Sequence, residues 1–187
     1  MKNVHTRELA ATIDEIRPWI EACWTGTPQD PFPRDLIPTW RKNPPGVAPL
    51  ALVPGVTRLG HGPFAFRLES WDGQRWRVTV ESEGFVGWHG IDLDPTPRGC
   101  RVTHTIELEL AGPARVVWPV VIAPLHDWAV EAIFDRLEEA LETGVMPTVT
   151  RRPIPWPAST WYTVVNRVLR ARRRRPITER SSPPAAS

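Results

Sequence analysis

Leu125–Gly144, "LHDWAVEAIFDRLEEALETG", is the stretch on which the fold turns. At about 100° per residue, Ala129, Val130, Ile133, Phe134, Leu137, Ala140 and Leu141 form one apolar stripe. Asp127, Glu131, Asp135, Glu138 and Glu142 fall on the opposite face, and Gly144 closes the helix. His126 lies near the centre of the apolar stripe. A helix with one apolar face must bury it against another element.

That element precedes it. Gly62 to Trp71, Arg75 to Ser82, Phe85 to Asp94 and Cys100 to Leu110 alternate apolar and polar residues. Asp72-Gly73, Glu83-Gly84 and the Pro95 to Gly99 cluster mark the turns between them. The pattern predicts an antiparallel meander with one buried face. In its last strand Val102, His104, Ile106, Leu108 and Leu110 share the apolar side, opposite Arg101, Thr103, Thr105, Glu107 and Glu109. The helix is expected to lie across this sheet, turning His104 and His126 toward a common interior.

Upstream, Val4 to Leu9 reads as a short strand. Thr12 and Glu15 have the T-x-x-E form of a capping box, opening a helix with Ile13, Ile16 and Ile20 on its apolar side. Pro18 kinks that helix or marks a later start, because it lacks the donor an interior turn needs. Eight prolines fall between Pro28 and Pro54, so this segment is expected to be irregular, with one turn of helix near Arg34 to Trp40.

The net charge of +2 conceals two opposite halves. Residues 1–144 hold 14 Lys or Arg against 20 Asp or Glu, and residues 145–187 hold nine Arg against Glu179 alone, about −6 and +8. Pro147, Pro153, Pro155 and Pro157 make 145–157 a stiff proline-rich linker. Beyond it, Ser159 or Thr160 caps a basic amphipathic helix with Trp161, Val164, Val165, Val168 and Leu169 on one side. Thr163, Asn166, Arg167, Arg170, Arg173 and Arg174 take the other side, and the segment 158–187 ends in a Ser/Pro/Ala stretch of disordered composition. Such a helix docks on its own domain or a second copy as a homodimer, or lies on an anionic membrane surface through residues 158–175. Nucleic acid is not expected, because the acidic main domain repels phosphate.

Two cysteines, Cys23 and Cys100, are too few for a disulfide scaffold, and Met1 to Ile20 is too charged for a signal peptide. A cytoplasmic protein with reduced thiols is expected, with membrane association only through the tail. The longest apolar run, Val116 to Leu125, is ten residues interrupted by Pro119 and Pro124, against about 20 needed to cross a bilayer.

"EIRPWIEACW" (15–24) and "ARVVWPVVIAPLHDWAVEAIFDRLEEALETG" (114–144), in the order strand, helix pair, meander and long helix, resemble the SRPBCC superfamily. That group includes START lipid-transfer domains, birch-type pollen allergens and polyketide cyclase/dehydrase-like proteins. The resemblance covers residues 3–144. It implies an α+β helix-grip fold, an antiparallel sheet wrapped around a long C-terminal helix with a hydrophobic cavity between them.

Geometry alone points to the same hollow, since a curved sheet and one helix touch along a line and leave apolar residues on either side of it to enclose space. Phe64, Phe66 and Leu68 are candidates for its wall, as are Trp76 and Val78, Val102 and Ile106, and Ile133 and Leu137. The alternative is a filled core. His104 and His126 are ligand-binding candidates and also candidate acid/base groups, because imidazole titrates near neutral pH; the alternative is that both are hydrogen-bonded core residues. His5, His61 and His89 lack a partner in sequence, and without H-x-x-x-H or C-x-x-C spacing no metal site is expected. No phosphate-cradling glycine loop or G-x-S-x-G is present, so no cofactor is implied. Ten tryptophans are spread along the chain as core and lid packing, although Trp88 and Trp128 fall on faces that read as polar. The sequence therefore supports a carrier of a hydrophobic small molecule such as a lipid or polyketide-like compound. A cyclase/dehydratase using the same cavity, or an interaction module acting through its tail, is the alternative.

Overall fold

A computed structural model of the 187-residue chain describes residues 1–24, 31–32, 39–48, 51–61, 64–147 and 151–153. Alternating patterns become strands where expected, with ends shifted by a residue or two. β1 (Lys2–Leu9) is followed by α1 (Ile13–Ala22), then β2 (Thr39–Lys42), β3 (Arg58–His61), β4 (Phe64–Trp71), β5 (Arg75–Val80), β6 (Phe85–Thr96) and β7 (Gly99–Leu110). They form one seven-stranded antiparallel sheet in the order β1-β7-β6-β5-β4-β3-β2. Except for β1, each strand lies beside its neighbour in sequence. β1 instead pairs with the last strand, placing His5 opposite His104.

β2 corrects the expectation of an irregular segment. Thr39–Lys42 pairs with β3, so Thr39 and Trp40 are strand residues rather than helix, and the remainder of the expected helical turn lies outside the described residues. Proline-rich flanks are compatible with an edge position, where half of the backbone groups need no partner. In α1 the capping box is present, with the Thr12 hydroxyl accepting from the Glu15 N–H and the Glu15 carboxylate accepting from the Thr12 N–H. Pro18 remains inside this helix on its exposed side, where water can satisfy the carbonyl that proline leaves without a donor. α1 is the one helix described between β1 and β2. Trp71 Nε1 donates to Glu21 and Arg17 Nε to the Gly73 carbonyl, tying α1 to the β4–β5 hairpin.

The long helix begins earlier than its periodicity predicts. α2 (Ala114–Val117) passes through a π-helical turn (Trp118–Ile122) directly into α3 (Ala123–Thr143). Pro119 and Pro124 each remove an amide donor, and the Ala123 N–H reaches back five residues to the Trp118 carbonyl, a spacing that accommodates both. Gly144, at φ 73°, supplies the left-handed cap and donates to the Ala140 carbonyl. The continuous helix Ala114–Thr143 is long and apolar enough, by length and composition, to cross a membrane. Counting an uninterrupted apolar run missed this, because prolines and single polar residues are spread through it. In this fold Ala129, Val130, Ala132, Phe134, Leu137 and Ala140 are buried.

The acidic face of α3 is not simply a solvent face. Asn3, His5 and Arg7 project from the same side of β1, and Asn3 Nδ2 donates to Asp127 at 2.9 Å. His5 Nδ1 meets Glu131 at 2.9 Å, and Arg7 bridges Glu131, Asp135 and Glu138. Two residues of strand advance about 6.7 Å and four residues of helix about 6 Å, so the two rows stay in step for three rungs. Past Gly144 the chain returns to this helix. Arg152 pairs with Asp135, Arg136 donates to the carbonyls of Phe32 and Pro147, and Trp128 Nε1 donates to the Arg152 carbonyl. The covered Trp128 is thereby buried, while Trp88 takes the Arg77 guanidinium 4.7 Å above its ring. The amphipathic helix and disordered end expected over 158–187 lie outside the described residues.

Apolar burial falls into two main clusters. One joins Leu9, Ile16, Ile20, Leu93, Val102, Phe134 and Leu137, and the other joins Trp24, Phe66, Leu68, Trp76, Val78, Ile106 and Trp118. His104 stands between them on β7, one pleat from Val102 and one from Ile106.

Leu137→Ala, at a fully buried position, is expected to cost about 2–5 kcal/mol in chemical denaturation. Arg7→Ala should cost about 1–2 kcal/mol, because it leaves three carboxylates facing one another, and repeating the melt in high salt should recover part of the loss.

Candidate functional site

All five histidines of the chain converge, which overturns the expectation that His5, His61 and His89 stand apart. β1, β3, β6, β7 and α3 contribute one each. Ring centroids lie 4.4 Å apart for His89 and His104, 5.0 Å for His104 and His126, 6.1 Å for His5 and His126, and 6.2 Å for His61 and His89. Register explains the grouping. His5 pairs directly with His104, and His104 with Ile91, while His89 is two residues from Ile91 and so occupies the same face diagonally across from His104. The alternation in Phe85–Asp94 already places His89 on one face with Ile91 and Leu93. What it leaves out is which strand lies alongside.

The rings differ in their partners. His89 and His104 share a hydrogen bond between their Nε2 atoms, so one donates and the other accepts. Neither Nδ1 has a partner among the described residues, and neither ring nitrogen of His126 has one. His5 is the exception, with Nδ1 on Glu131 at 2.9 Å and Nε2 on Asp127 at 3.1 Å. The gap from His126 Nδ1 to Asp127 Oδ1 is 3.6 Å, an electrostatic contact too long for a hydrogen bond. His61 faces an aromatic nest, 4.9 Å from Phe66, 5.4 Å from Phe32 and 6.3 Å from Trp24. Trp118, in the π turn, lies 5.8 Å from His126 and was not anticipated as a neighbour of the site.

Burial governs the protonation of these rings. It holds His89 and His104 well below the ordinary imidazole range, and repulsion from neighbouring histidines adds to it. His126 is lowered by burial against the opposing pull of Asp127, and His61 is brought down to about 3 by burial and then by His126. Asp127 is held at about 2, chiefly by the His126 ring and further by His5 and Asn3. His61, His89, His104 and His126 are therefore neutral imidazoles, bordered on the α3 side by the ionised Asp127 carboxylate. Neutral imidazoles can accept or donate a hydrogen bond, relay a proton or ligate a cation. His89, His104 and His126 offer nitrogens within 4.8 Å of one another, and His5, His126 and Asp127 form a second such group.

The predicted wall residues divide. Phe66, Leu68, Trp76, Val78 and Ile106 are buried in the aromatic-rich cluster, with Phe64 partly buried beside it. Val102 and Leu137 are buried in the other cluster, with Ile133 at its margin. His104 and His126 lie where these two groups meet. Trp24, stacked 5.1 Å from Trp76, was not singled out as a wall residue and completes the aromatic side. The indole N–H groups of Trp24 and Trp76 are buried with no partner among the described residues.

No family model matches the chain, and no curated protein matches it. Solved structures do. A protein of Nitrosomonas europaea is similar with a TM-score of 0.50 at 17% identity, over 77% of this chain and 96% of that one. Ara h 8.0201 is similar with a TM-score of 0.48 at 12% identity, over 76% and 98%. A protein of Mycobacterium smegmatis gives a TM-score of 0.48 at 13% identity, over 75% and 90%. At these identities likeness speaks to fold alone, and the fold is an α+β helix-grip: one antiparallel sheet and a long C-terminal helix.

Because the folded state holds His61, His89, His104 and His126 below the value near 6.5 that they have when unfolded, the unfolded chain binds more protons below that pH. Stability is then unaffected by these groups above about pH 6.5 and falls as pH drops toward their folded values, by up to about 1.4 kcal/mol per pH unit for each ring. Thermal midpoints measured in chelator from pH 7.5 to 5 should decline steeply. His61→Phe, which suits the aromatic nest, should flatten that slope by one proton; a wild-type midpoint level across the range would contradict this account.

Proposed function

We propose that the protein binds a hydrophobic small molecule, of lipid or polyketide-like character, between the sheet and α3, in keeping with the SRPBCC resemblance. One observation carries this reading. Apolar and aromatic walls close on a few polar atoms that have no partner among the described residues: the indole N–H groups of Trp24 and Trp76 beside the imidazoles of His89, His104 and His126. Apolar walls with a few convergent polar groups are the general form of a small-molecule site. Buried donors left unpaired cost about 1–3 kcal/mol each, and a ligand oxygen placed against them recovers that cost. The preferred ligand is thus apolar over most of its surface and carries at least one carbonyl or hydroxyl oxygen.

A second reading, a cyclase or dehydratase, draws on the His5, Asp127 and His126 arrangement. Asp127 accepts from His5 and faces His126, so its carboxylate stabilises the imidazolium that forms when His126 takes a proton from a substrate. In that case the same interior holds a polyketone whose carbonyl meets the histidines.

Native mass spectrometry of freshly purified protein should show a co-purified apolar compound. Chelator-treated protein should also bind a long-chain hydroxy or keto fatty acid with quenching of tryptophan fluorescence. Trp76→Phe, which keeps the ring and removes its N–H, should weaken that binding about fivefold, the worth of one neutral hydrogen bond. A protein that purifies empty and leaves every apolar probe in solution would refute the carrier reading. Turnover of a poly-β-ketone analogue, lost in His126→Ala, would select the enzymatic one.

A further inference from the structure

We propose that His89, His104 and His126 form a binding site for one divalent transition-metal ion, with Zn2+ as the simplest case. This rests on the three imidazoles and not on the small-molecule reading. β6, β7 and α3 each contribute one ring, and one nitrogen from each lies within 4.8 Å of the others. Zinc–nitrogen bonds of about 2.0–2.1 Å in a tetrahedral site place their nitrogens roughly 3.4 Å apart. The three nitrogens thus stand no more than about 1.4 Å beyond that spacing.

Four of the six ring nitrogens are buried without a hydrogen-bond partner among the described residues: Nδ1 of His89, Nδ1 of His104, and both nitrogens of His126. The other two, the Nε2 atoms of His89 and His104, are paired with each other in one hydrogen bond. Three adjacent imidazoles that share one hydrogen bond and leave four ring nitrogens unpaired are poorly explained as packing, because apolar side chains of equal size would avoid the desolvation cost. A cation takes one lone pair from each ring, replacing the single His89–His104 hydrogen bond with three metal–nitrogen bonds. Burial favours the neutral imidazole, the form that binds a metal.

The surroundings suit this assignment. Asp127 Oδ1 lies 3.6 Å from His126 Nδ1 and is itself held by Asn3 Nδ2 at 2.9 Å and His5 Nε2 at 3.1 Å. A carboxylate behind a ligating histidine fixes its orientation and raises its basicity. Glu131, bonded to His5 and Arg7, holds the other nitrogen of the His5 ring that braces Asp127. The donor set is all imidazole, which favours Zn2+, Cu2+, Ni2+ or Co2+ over the oxygen-seeking Mg2+ and Ca2+. Three protein ligands leave one of four positions for a water or ligand oxygen, the pattern of open rather than purely structural zinc sites.

The test uses the full chain without a histidine tag, stripped with chelator and titrated with CoCl2. One equivalent should bind with the visible absorption of four-coordinate cobalt and be displaced by ZnCl2. His89→Gln, His104→Gln and His126→Gln should each weaken binding at least a hundredfold, while His61→Gln leaves it intact. Circular dichroism identifies any variant that fails to fold. For that case, ring-nitrogen NMR of the wild-type protein gives an independent readout, and Zn2+ should shift the signals of these three histidines. Absence of stoichiometric binding at micromolar metal would overturn the inference, as would binding that survives His126→Gln. Loss in His5→Gln with retention in His89→Gln and His104→Gln would also overturn it, by moving the ion to the His5, His126 and Asp127 group. Metal binding is read here without any apolar ligand, so its failure leaves the carrier reading standing, and failure of that reading leaves this one standing.

Discussion

α3 is fastened to the edge strand β1 by polar groups while its apolar stripe is driven onto the sheet, and this double attachment sets the geometry of the interior. Hydrophobic burial alone would let a helix slide or roll over a greasy surface, because it has no direction. The rungs from Asn3, His5 and Arg7 to Asp127, Glu131, Asp135 and Glu138 fix both rotation and register. His126 is thereby turned inward, next to rings from β6 and β7, instead of toward water. Each rung is only partly buried and individually weak, yet together they decide which residues meet.

That placement creates a local conflict between stability and chemistry. Imidazoles in an apolar interior lose hydration, and several of theirs gain no hydrogen bond in return. Sites that carry such unpaired groups are candidates for binding, because a ligand or ion placed there, like a buried water, relieves them. The tryptophan N–H groups of the neighbouring cluster extend the same condition toward the aromatic wall. The fold tolerates this through the closely packed clusters on either side, where Leu68, Val78, Val102 and Leu137 are fully enclosed.

Charge is distributed to match. An acidic helix face beside a positively charged extension suggests two opposed halves, and the first arginines of that extension, Arg151 and Arg152, do fold back onto Glu139 and Asp135. Asp135 is therefore held from both sides, by Arg7 and Arg152. A helix carrying carboxylates at successive turns would repel itself without these partners.

Much of this was readable in the chain. Period-two alternation placed His104 with Val102 and Ile106, and helical periodicity placed His126 with the apolar stripe of α3, because each pattern depends only on local backbone geometry. The capping box at Thr12 and the stop at Gly144 were legible for the same reason. β2 was hidden by the prolines that flank it, and the start of the long helix by Pro119 and Pro124, since a proline's effect depends on whether its missing donor falls outside the ladder or in a π turn. Which histidines meet was set by neither pattern. His5 reaches His104 because the first strand pairs with the last, and His89 reaches His104 along a diagonal of the sheet; strand order and register are long-range choices made by closing the sheet under the helix, and one-dimensional periodicity carries no record of them.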